Sequence, residues 1–479
     1  PGGFSHYMMY NLTIPGYSDE VCQTYINGIV DSIVKASLSL KPANIYLNSG
    51  EISPELNVAF NRSIEAYNEN PEITTKSSFE TRHLAVDREM SLIRIDDNAD
   101  KPLGMINWFA VHCTSIHSDN YLIHFDNKGY AAMDFEAFIY EKNEDFVGAF
   151  AQSSCGDVSP NFQFFPGMKF CRGQFEDDFK SAKFNGEIQA NKAKELFTNA
   201  KDNLLASEID YFHMYVDFSN VEVNPKFSEG KTGQTTGPAI IGLSMLLGTA
   251  EGPGITQKLC NALNVLTNTI SFKNKLLSVI NKDLKKLENE KKEIHGNKAL
   301  FVETGERKIL GNGDLKNLKI PDWADPLVSR LKALATNNAL GNEPWTPNIL
   351  PLQILIIGQL AIAAVPAEFT TIAAKRLKNT ILEILAKRGI TKVVLSCYSN
   401  GYSGYVTTKE EYEVQLYEGG STHFGKWTLA AYQTKFEYIC QQLLKKPEER
   451  DSLSDLKPHN FNKDLLLRRA FIKRNWKAS

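Results

Sequence analysis

The chain has 479 residues, of which 42% are hydrophobic and 23% are charged, so it can bury a large core and is not intrinsically disordered. Its 53 basic and 56 acidic side chains give a formal net charge of −3, which provides no general electrostatic reason to bind nucleic acid. The most apolar stretch, residues 352–365, is too short to span a bilayer. These properties indicate a soluble globular protein whose size is typical of an enzyme.

Helical and extended segments alternate through the first half of the chain. Hydrophobic periodicity predicts a helix over residues 21–40 and strands over residues 43–47, 90–95 and 104–111. Composition and periodicity further predict a helix over 130–142, a buried strand over 146–152, a surface helix over 187–206 and a strand over 209–223.

The second half continues the alternation. A charged, solvated helix is predicted over residues 274–292, a strand over 352–365, a helix over 370–388, a strand over 392–396, and helices from Lys409 and from Lys426. Some strands are hairpin-like, which favours an α/β fold of mixed β-sheets flanked by helices. Residues 1–440 are assigned to a single large domain. Residues 441–479 carry 10 Lys/Arg against 5 Asp/Glu and are interpreted as a basic linker.

Polar clusters follow several predicted strands, where reacting groups collect in α/β proteins. His112 closes the apolar stretch 106–111, with His117 and His124 nearby in sequence, although a histidine in this position is more often structural than a metal ligand. The turn at residues 156–161 can expose the hydroxyl of Ser159, which needs a base to act as a nucleophile. A plain Asp/Ser/Pro turn explains the same residues.

A third cluster is divided between two segments. Glu368 follows Pro366 at a strand-to-helix junction, where a carboxylate is favourable near the helix N-terminus. Tyrosines then recur at high density, at positions 398, 402, 405, 412 and 417. Their roles are left open by the residues alone: packing, metal ligation, or hydrogen-bond donation to an oxyanion.

Taken together, these stretches resemble one family, the neutral (non-lysosomal) ceramidases. The stretches that carry the resemblance are residues 61–63 (NRS), 108–112 (WFAVH), 126–131 (DNKGYA), 156–161 (GDVSPN), 248–254 (GTAEGPG), 366–371 (PAEFTT), 401–408 (GYSGYVTT) and 415–418 (QLYE). They occur in the family's order and cover nearly the whole chain. The resemblance implies a zinc-dependent amidohydrolase that cleaves the N-acyl bond of ceramide to give sphingosine and a free fatty acid.

The resemblance also implies roles for individual residues. Ser159 matches the family's nucleophile, activated by a zinc-bound water. Three residues match zinc ligands: His112, Glu368 and Tyr405. Arg62 and Tyr417 match residues that line the catalytic site, and Tyr417 is a candidate donor to the oxyanion. Nitrogen and oxygen ligands of these types suit Zn²⁺, one ion per chain.

The chain departs from the family pattern at both ends. In the family, a His-x-His-Ser segment that supplies a further zinc ligand runs into Pro-Gly-Gly, and this chain begins at Pro1 with that triplet. We therefore expect the catalytic domain to be N-terminally incomplete, with the fourth protein ligand upstream of Pro1. A C-terminal immunoglobulin-like domain of the family is likewise expected beyond residue 479. The alternative is a non-catalytic sphingolipid-binding protein that lost zinc with this ligand; a metallo-amidase for another N-acyl substrate is a third possibility.

The expected partners are ceramide and related N-acylsphingoid lipids, and peripherally a membrane surface; no nucleic acid is expected. The resemblance implies a secreted protein or one in the secretory-pathway lumen or at the cell surface. Two N-glycosylation sequons, at Asn11 and Asn61, give this location weak support.

Overall fold

The fold is described from a computed structural model that covers residues 3–12, 14, 16–141, 143–254, 265, 282–317, 321, 326–451 and 455–470. Within these residues the α-helices are α1 (Asp19–Leu38), α2 (Ile64–Tyr67), α3 (Asp126–Ile139), α4 (Asp178–Thr198), α5 (Lys282–His295), α6 (Pro326–Thr336), α7 (Thr371–Leu385), α8 (Lys409–Val414), α9 (Tyr417–Ser421), α10 (Thr428–Leu444) and α11 (Lys463–Arg468).

The strands of the described residues include eight long enough to build the two main sheets. These are β1 (Ala43–Glu51), β3 (Glu89–Asp97), β4 (Pro102–Phe109), β5 (Val147–Gln152), β7 (Ile209–Asp217), β13 (Ile349–Ile357), β14 (Leu360–Ala364) and β16 (Lys392–Ser396). The short strands are β2 (Phe60–Asn61), β6 (Val158–Ser159), β8 (Ile241–Gly242), β9 (Gly248–Thr249), β10 (Gly252–Pro253), β11 (Leu300–Glu303), β12 (Lys308–Ile309), β15 (Glu368–Phe369) and β17 (Tyr405–Val406).

Both main sheets mix parallel and antiparallel pairs. The first has the order β1-β3-β4-β5, with β4 and β5 parallel and the other pairs antiparallel. The second has the order β16-β14-β13-β7, with β14 and β16 parallel. The expectation of an α/β fold with mixed sheets flanked by helices is therefore confirmed.

The two main sheets pack face to face, with helices covering their outer faces. Side chains in strands alternate between faces, so Ile93 faces the second sheet while its neighbour Leu92 packs beneath the helices. The core between the sheets includes Ile93, Trp108, Leu360, Ile362 and Val394. Helices α3 and α4 cover the first sheet, and α7 and α10 cover the second. The result is four layers in the order helix, sheet, sheet, helix.

Local sequence signals explain where several helices begin. The Ser18 hydroxyl accepts a hydrogen bond from the Val21 backbone N–H and caps α1. A capping box starts α8, because the Thr408 hydroxyl accepts from the Glu411 N–H while the Glu411 carboxylate accepts from the Thr408 N–H. Asp177 caps α4 because its carboxylate accepts a hydrogen bond from the Lys180 backbone N–H.

Most predicted elements are present, with shifted ends. The strand over 392–396 has the predicted bounds, whereas the helix expected over 187–206 spans Asp178–Thr198 and is half buried, since it packs against the first sheet and α3. The strand predicted over 209–223 ends at Asp217. For the charged helix expected over 274–292, the part from Lys282 is confirmed and continues to His295, while residues 274–281 lie outside the described residues.

The single strand expected over 352–365 is wrong. The chain turns back at Gly358, so that β13 and β14 form an antiparallel hairpin. Gly358 has a φ of 52°, and a Cβ there would lie 2.6 Å from the Ala206 backbone nitrogen. A side chain would therefore be both strained and crowded at this turn. The turn was missed because the sequence over 352–365 is mostly apolar on both sides of Gly358 and Gln359, and both strands are largely buried.

Two segments at the edge of the fold, α1 and the segment after α10, differ in how their apolar side chains are packed. Along α1, apolar side chains such as Ile33 (63% exposed) face outward. The predicted domain boundary at 440/441 falls within α10, and Phe461 and Leu466 of the following segment pack against Tyr17 and Cys22. The division into catalytic domain and linker remains a prediction.

In the described part of the chain, no helix has the length and apolar character needed to cross a membrane.

Candidate functional site

The candidate site lies where the parallel strand pairs of both sheets end. In the first sheet Phe109 pairs with Gln152 at the ends of β4 and β5, and in the second Ala364 pairs with Ser396 at the ends of β14 and β16. The Cys397 backbone N–H donates to the Gln152 carbonyl at 3.3 Å, which joins the two edges. Loops that leave four strand ends therefore converge on one place, as expected for α/β proteins.

Three predicted zinc ligands meet at this edge. Strands β15 and β17 are parallel and pair Glu368 with Tyr405 directly. The Nε2 of His112 lies 2.7 Å from the Glu368 Oε2 and 3.4 Å from the Tyr405 hydroxyl. The sequence separation between His112 and Glu368 is 256 residues, so tertiary structure alone brings them together.

The contacts of His112 indicate which of its ring nitrogens carries a proton. Its Nδ1 lies 2.9 Å from the Val158 carbonyl oxygen. Because a carbonyl oxygen only accepts, Nδ1 carries a proton and Nε2 presents its lone pair to Glu368 in the neutral ring. Two acceptors facing each other at 2.7 Å need a shared cation, either a proton or a metal ion.

Two further residues of this cluster escaped the sequence-based assignment. The Cys155 sulfur lies within 4.8 Å of the ligand atoms of His112 and Glu368, and all three residues are buried. The Tyr402 hydroxyl donates to the Glu368 Oε1 at 2.5 Å. Burial raises the pKa of the Cys155 thiol well above its ordinary value, and the negative charge of Glu368 adds to this effect. A single cysteine forms no sequence pattern typical of metal ligands. The only signal for Cys155 in the sequence is its position four residues before Ser159.

Ser159 is buried in β6 rather than exposed on an open turn, and it pairs with Phe60 of β2. Its Oγ accepts a hydrogen bond from the Asn161 backbone N–H at 2.8 Å, and the Asn161 side chain donates to Glu251 at 3.2 Å. Burial by itself raises the pKa of Glu251, but the charge of Arg62 and hydrogen bonds that include one from Ser159 bring it below its ordinary value. Glu251 lies in the matched stretch 248–254, but the sequence analysis assigned it no role of its own.

Arg62 connects most of the site. Its guanidinium donates to Glu418 at 2.8 Å, to Glu251 at 3.2 Å and to the Tyr405 hydroxyl at 3.2 Å. Its Cζ lies 5.4 Å from the centre of the Tyr417 ring, close enough for a cation–π contact. The Tyr405 and Tyr417 rings meet edge to face at 5.5 Å. The structure thus brings all six residues predicted for the site into one connected region.

A buried pair of acids lies behind this region. Asp157 accepts from the Thr371 backbone N–H and hydroxyl, both at 2.8 Å, while Glu411 accepts from Asn70 at 2.9 Å. Burial raises the pKa of Asp157 to about 6. Burial and the charge of Asp157 raise the pKa of Glu411 to about 7. Both acids line a cavity of about 10 Å³, which is room for about one water molecule.

Other sequence candidates lie elsewhere or are inaccessible. The ring of His117 contacts Asp178 at 3.2 Å and the Cys171 carbonyl at 3.0 Å, a structural arrangement. The sequon residues Asn11 and Asn61 are both buried, and the Asn61 amide donates to Asp157 at 2.7 Å. A glycan cannot be accommodated on either side chain in this fold, so the sequons give no support for a secretory route.

Comparisons with known proteins decide the family. The family profile described as "Neutral/alkaline non-lysosomal ceramidase, N-terminal" matches residues 1–312 and 329–434. The chain belongs to this family. It is 34% identical to neutral ceramidase B of Dictyostelium discoideum over 476 residues, covering 93% of this chain and 59% of that protein. It is also 34% identical to the neutral ceramidase of Pseudomonas aeruginosa over 437 residues, covering 91% of this chain and 56% of that protein.

Solved structures of ceramidases have the same fold. The crystal structure of the neutral ceramidase from Pseudomonas aeruginosa superposes with a TM-score of 0.69 at 30% identity, covering 96% of this chain and 62% of that one. A structure described as a ceramidase complexed with C2 gives a TM-score of 0.72 at 31% identity, covering 96% of this chain and 63% of that one. The chain thus spans less than two thirds of the length of these relatives. The resemblance inferred from the motifs is confirmed at the level of family and fold.

Proposed function

We propose that this chain hydrolyses the N-acyl bond of ceramide, with Ser159 as nucleophile. The observation that carries the proposal is the convergence of His112, Glu368 and Tyr405 beside Ser159 and Arg62. Support comes from membership of the neutral ceramidase family, whose named members include enzymes from bacteria, plants and Dictyostelium.

The chain's own residues supply positioning and charge. The Ser159 hydroxyl attacks the amide carbonyl carbon, and the acyl group passes to Ser159 while the sphingosine amine leaves with a proton. Glu251 accepts a hydrogen bond from the Ser159 hydroxyl, and this bond holds the Oγ in one orientation. Tyr417, about half buried beside Arg62, donates a hydrogen bond to the oxyanion. Water then releases the fatty acid from Ser159.

The donor set fits zinc. A buried imidazole whose Nδ1 is already bonded, a carboxylate and a phenol offer the nitrogen and oxygen ligands that Zn²⁺ accepts. His112, Glu368 and Tyr405 would hold the ion, and the further ligand expected upstream of Pro1 stays a prediction. When bound, zinc supplies Lewis acidity toward a carbonyl oxygen and toward water.

The decisive experiment replaces the nucleophile. Ser159→Ala should abolish release of fatty acid from ceramide while leaving zinc content and fold unchanged. Ser154→Ala provides the matched control, because this nearby buried serine makes no hydrogen bond through its hydroxyl among the described residues. Retained turnover in Ser159→Ala would refute the assignment. Protein that binds ceramide without hydrolysing it, at sub-stoichiometric zinc, would instead support the lipid-binding alternative.

The cellular location follows from the same proposal. Ceramide is a membrane lipid, so the enzyme works at a membrane surface, and entry into the secretory pathway remains the location we propose. Immunolocalisation of the full protein against compartment markers tests it, and a cytosolic distribution would contradict it.

A further inference from the structure

A loop leaves the candidate site and returns to it. Residues 116–125 connect the segment after His112 to α3, and both ends of the loop are fixed. The Asn127 side chain donates to the His112 carbonyl at 2.9 Å, and the Asp126 carboxylate accepts from the backbone N–H groups of Ser115 at 3.2 Å and Ile116 at 2.9 Å. The base of this loop is therefore part of the structure that holds a candidate zinc ligand.

The tip of the loop is apolar and exposed. The exposed fractions are 83% for Tyr121, 69% for Leu122, 87% for Ile123 and 76% for Phe125. Residues 120–125 include no Asp, Glu, Lys or Arg. Single exposed apolar residues are common on soluble proteins, but several adjacent bulky ones mark an interaction site.

The tip nevertheless has a defined shape. The Asn120 side chain donates to the Leu122 carbonyl at 2.8 Å and accepts from the Leu122 N–H at 3.1 Å, which closes a local turn. The His124 ring packs edge-on against Phe179 at the start of α4, with 4.9 Å between ring centres. The exposed side chains are thus presented by an ordered turn rather than by an extended coil.

A basic side chain beside the loop is paired with two carboxylates. Arg172 forms ion pairs with Asp178 at 2.6 Å and with Asp119 at 3.3 Å. The exposed aromatic rings of Phe164 and Phe175 lie in the segments on either side of Arg172. An uncharged tip with paired charges at its base suits the boundary between hydrocarbon and headgroups of a lipid layer, where apolar tips enter and charged groups stay in water.

We propose that residues 120–125 insert into a lipid membrane and hold the site at its surface. The proposal rests on the proposed function, because a ceramide substrate resides in a membrane and must reach Ser159 from there. Side chains exposed by 69–87% stand on a convex protrusion, which a fluid lipid layer accommodates without a complementary groove. A protein partner or a second copy of the chain would need such a groove. Because Asn127 at the base of the loop is hydrogen-bonded to His112, the tip has a defined position relative to His112.

The test separates membrane binding from catalysis. Ile123→Asp places a charge at the tip, and Ile33→Asp places one at a similarly exposed position on α1 as the matched control. Binding of the full chain to phosphatidylcholine vesicles, with and without ceramide, is measured by co-sedimentation. Turnover is measured with ceramide in vesicles and with a short-acyl ceramide dissolved as monomers.

We expect Ile123→Asp to weaken vesicle binding and vesicle turnover by about 10-fold or more, because a charge is strongly disfavoured in the lipid layer. Turnover of the dissolved substrate should stay within about twofold of wild type, since the Ile123 side chain is 87% exposed. Unchanged vesicle binding in Ile123→Asp, or an equal loss in Ile33→Asp, would overturn the proposal. So would a change of oligomeric state in Ile123→Asp, measured by light scattering, since it would identify a second copy as the occupant.

Failure of the proposed function has a different signature. Wild-type protein that binds vesicles through the tip, yet hydrolyses neither form of ceramide, would refute the ceramidase activity and leave the membrane contact supported. Ile123→Ser serves as a milder second variant if the aspartate disturbs folding. It should weaken vesicle binding less than Ile123→Asp, and wild-type binding by both variants would overturn the proposal.

Discussion

Arg62 is the residue whose removal should affect stability most clearly. Its side chain is 9% exposed, and its ion-pair partners Glu251 and Glu418 are 8% and 3% exposed. Arg62→Met keeps most of the side-chain volume but leaves two carboxylates buried without their cation. Breaking a buried ion pair costs about 3–5 kcal/mol, since the remaining charge is desolvated and uncompensated.

The hydrogen bonds that remain to both carboxylates should keep the loss of unfolding free energy within the range for one broken ion pair, rather than at the sum for two. Glu251 keeps hydrogen bonds from Thr114 and Asn161, and Glu418 keeps one from Ser63. Urea unfolding at neutral pH should therefore give a free energy of unfolding about 3–5 kcal/mol below wild type. Lys231→Met is the control, because its pair with Glu229 is about half exposed and worth about 0–1 kcal/mol.

The pH dependence of the Arg62→Met defect provides a second check. Without the guanidinium, the pKa of Glu251 should rise, because burial then acts without the charge of Arg62. Protonation removes the buried charge, so the difference from wild type should be smaller at about pH 5 than at about pH 8. Adding Glu418→Gln to Arg62→Met should recover part of the loss. An Arg62→Met protein within about 1 kcal/mol of wild type at neutral pH would refute this account.

Three other predictions concern neighbouring groups. Because the folded-state pKa values of Asp157 (about 6) and Glu411 (about 7) are raised, the folded state binds more protons, and the free energy of unfolding should fall as pH rises from about 5 to 8. Urea titrations should show a flatter dependence in Glu411→Gln, and an unchanged slope would contradict this. Tyr402→Phe removes the hydrogen bond to Glu368 and should weaken zinc binding about 10- to 100-fold in chelator competition; wild-type affinity would argue against it. Glu251→Gln should lower kcat about 10²-fold with little change in KM, whereas a pure KM effect would rule out a role in orienting the nucleophile.

Much of the fold could be predicted because its strands and helices have strong local periodicity. The strand over 392–396 and the helix from Asp19 follow from patterns that lie within one element. The hairpin at Gly358 did not follow, since both of its strands are buried and apolar and a short turn interrupts the pattern only briefly. The face-to-face packing of the two sheets did not follow either, because alternation identifies a buried face but not what covers it.

The site was predictable only where motifs matched a family. His112, Glu368 and Tyr405 came from that match. The local sequences of His112 and Glu368 favoured ordinary structural roles, and the local sequence left the role of Tyr405 open. Cys155 and Glu251 were missed because their importance depends on contacts across the fold, such as the hydrogen bond from Thr114 to Glu251. No spacing within the sequence encodes such contacts.

The two-residue strand pairs that join Phe60 to Ser159 and Glu368 to Tyr405 have a consequence for the order of folding. Each pair is too short to form before the large sheets have assembled, and Arg62 and Glu418 are separated by 356 residues. We therefore expect the contacts of the candidate site to form late in refolding and to be lost early in mild denaturant. A partly folded state that keeps both main sheets would therefore lack the assembled candidate site.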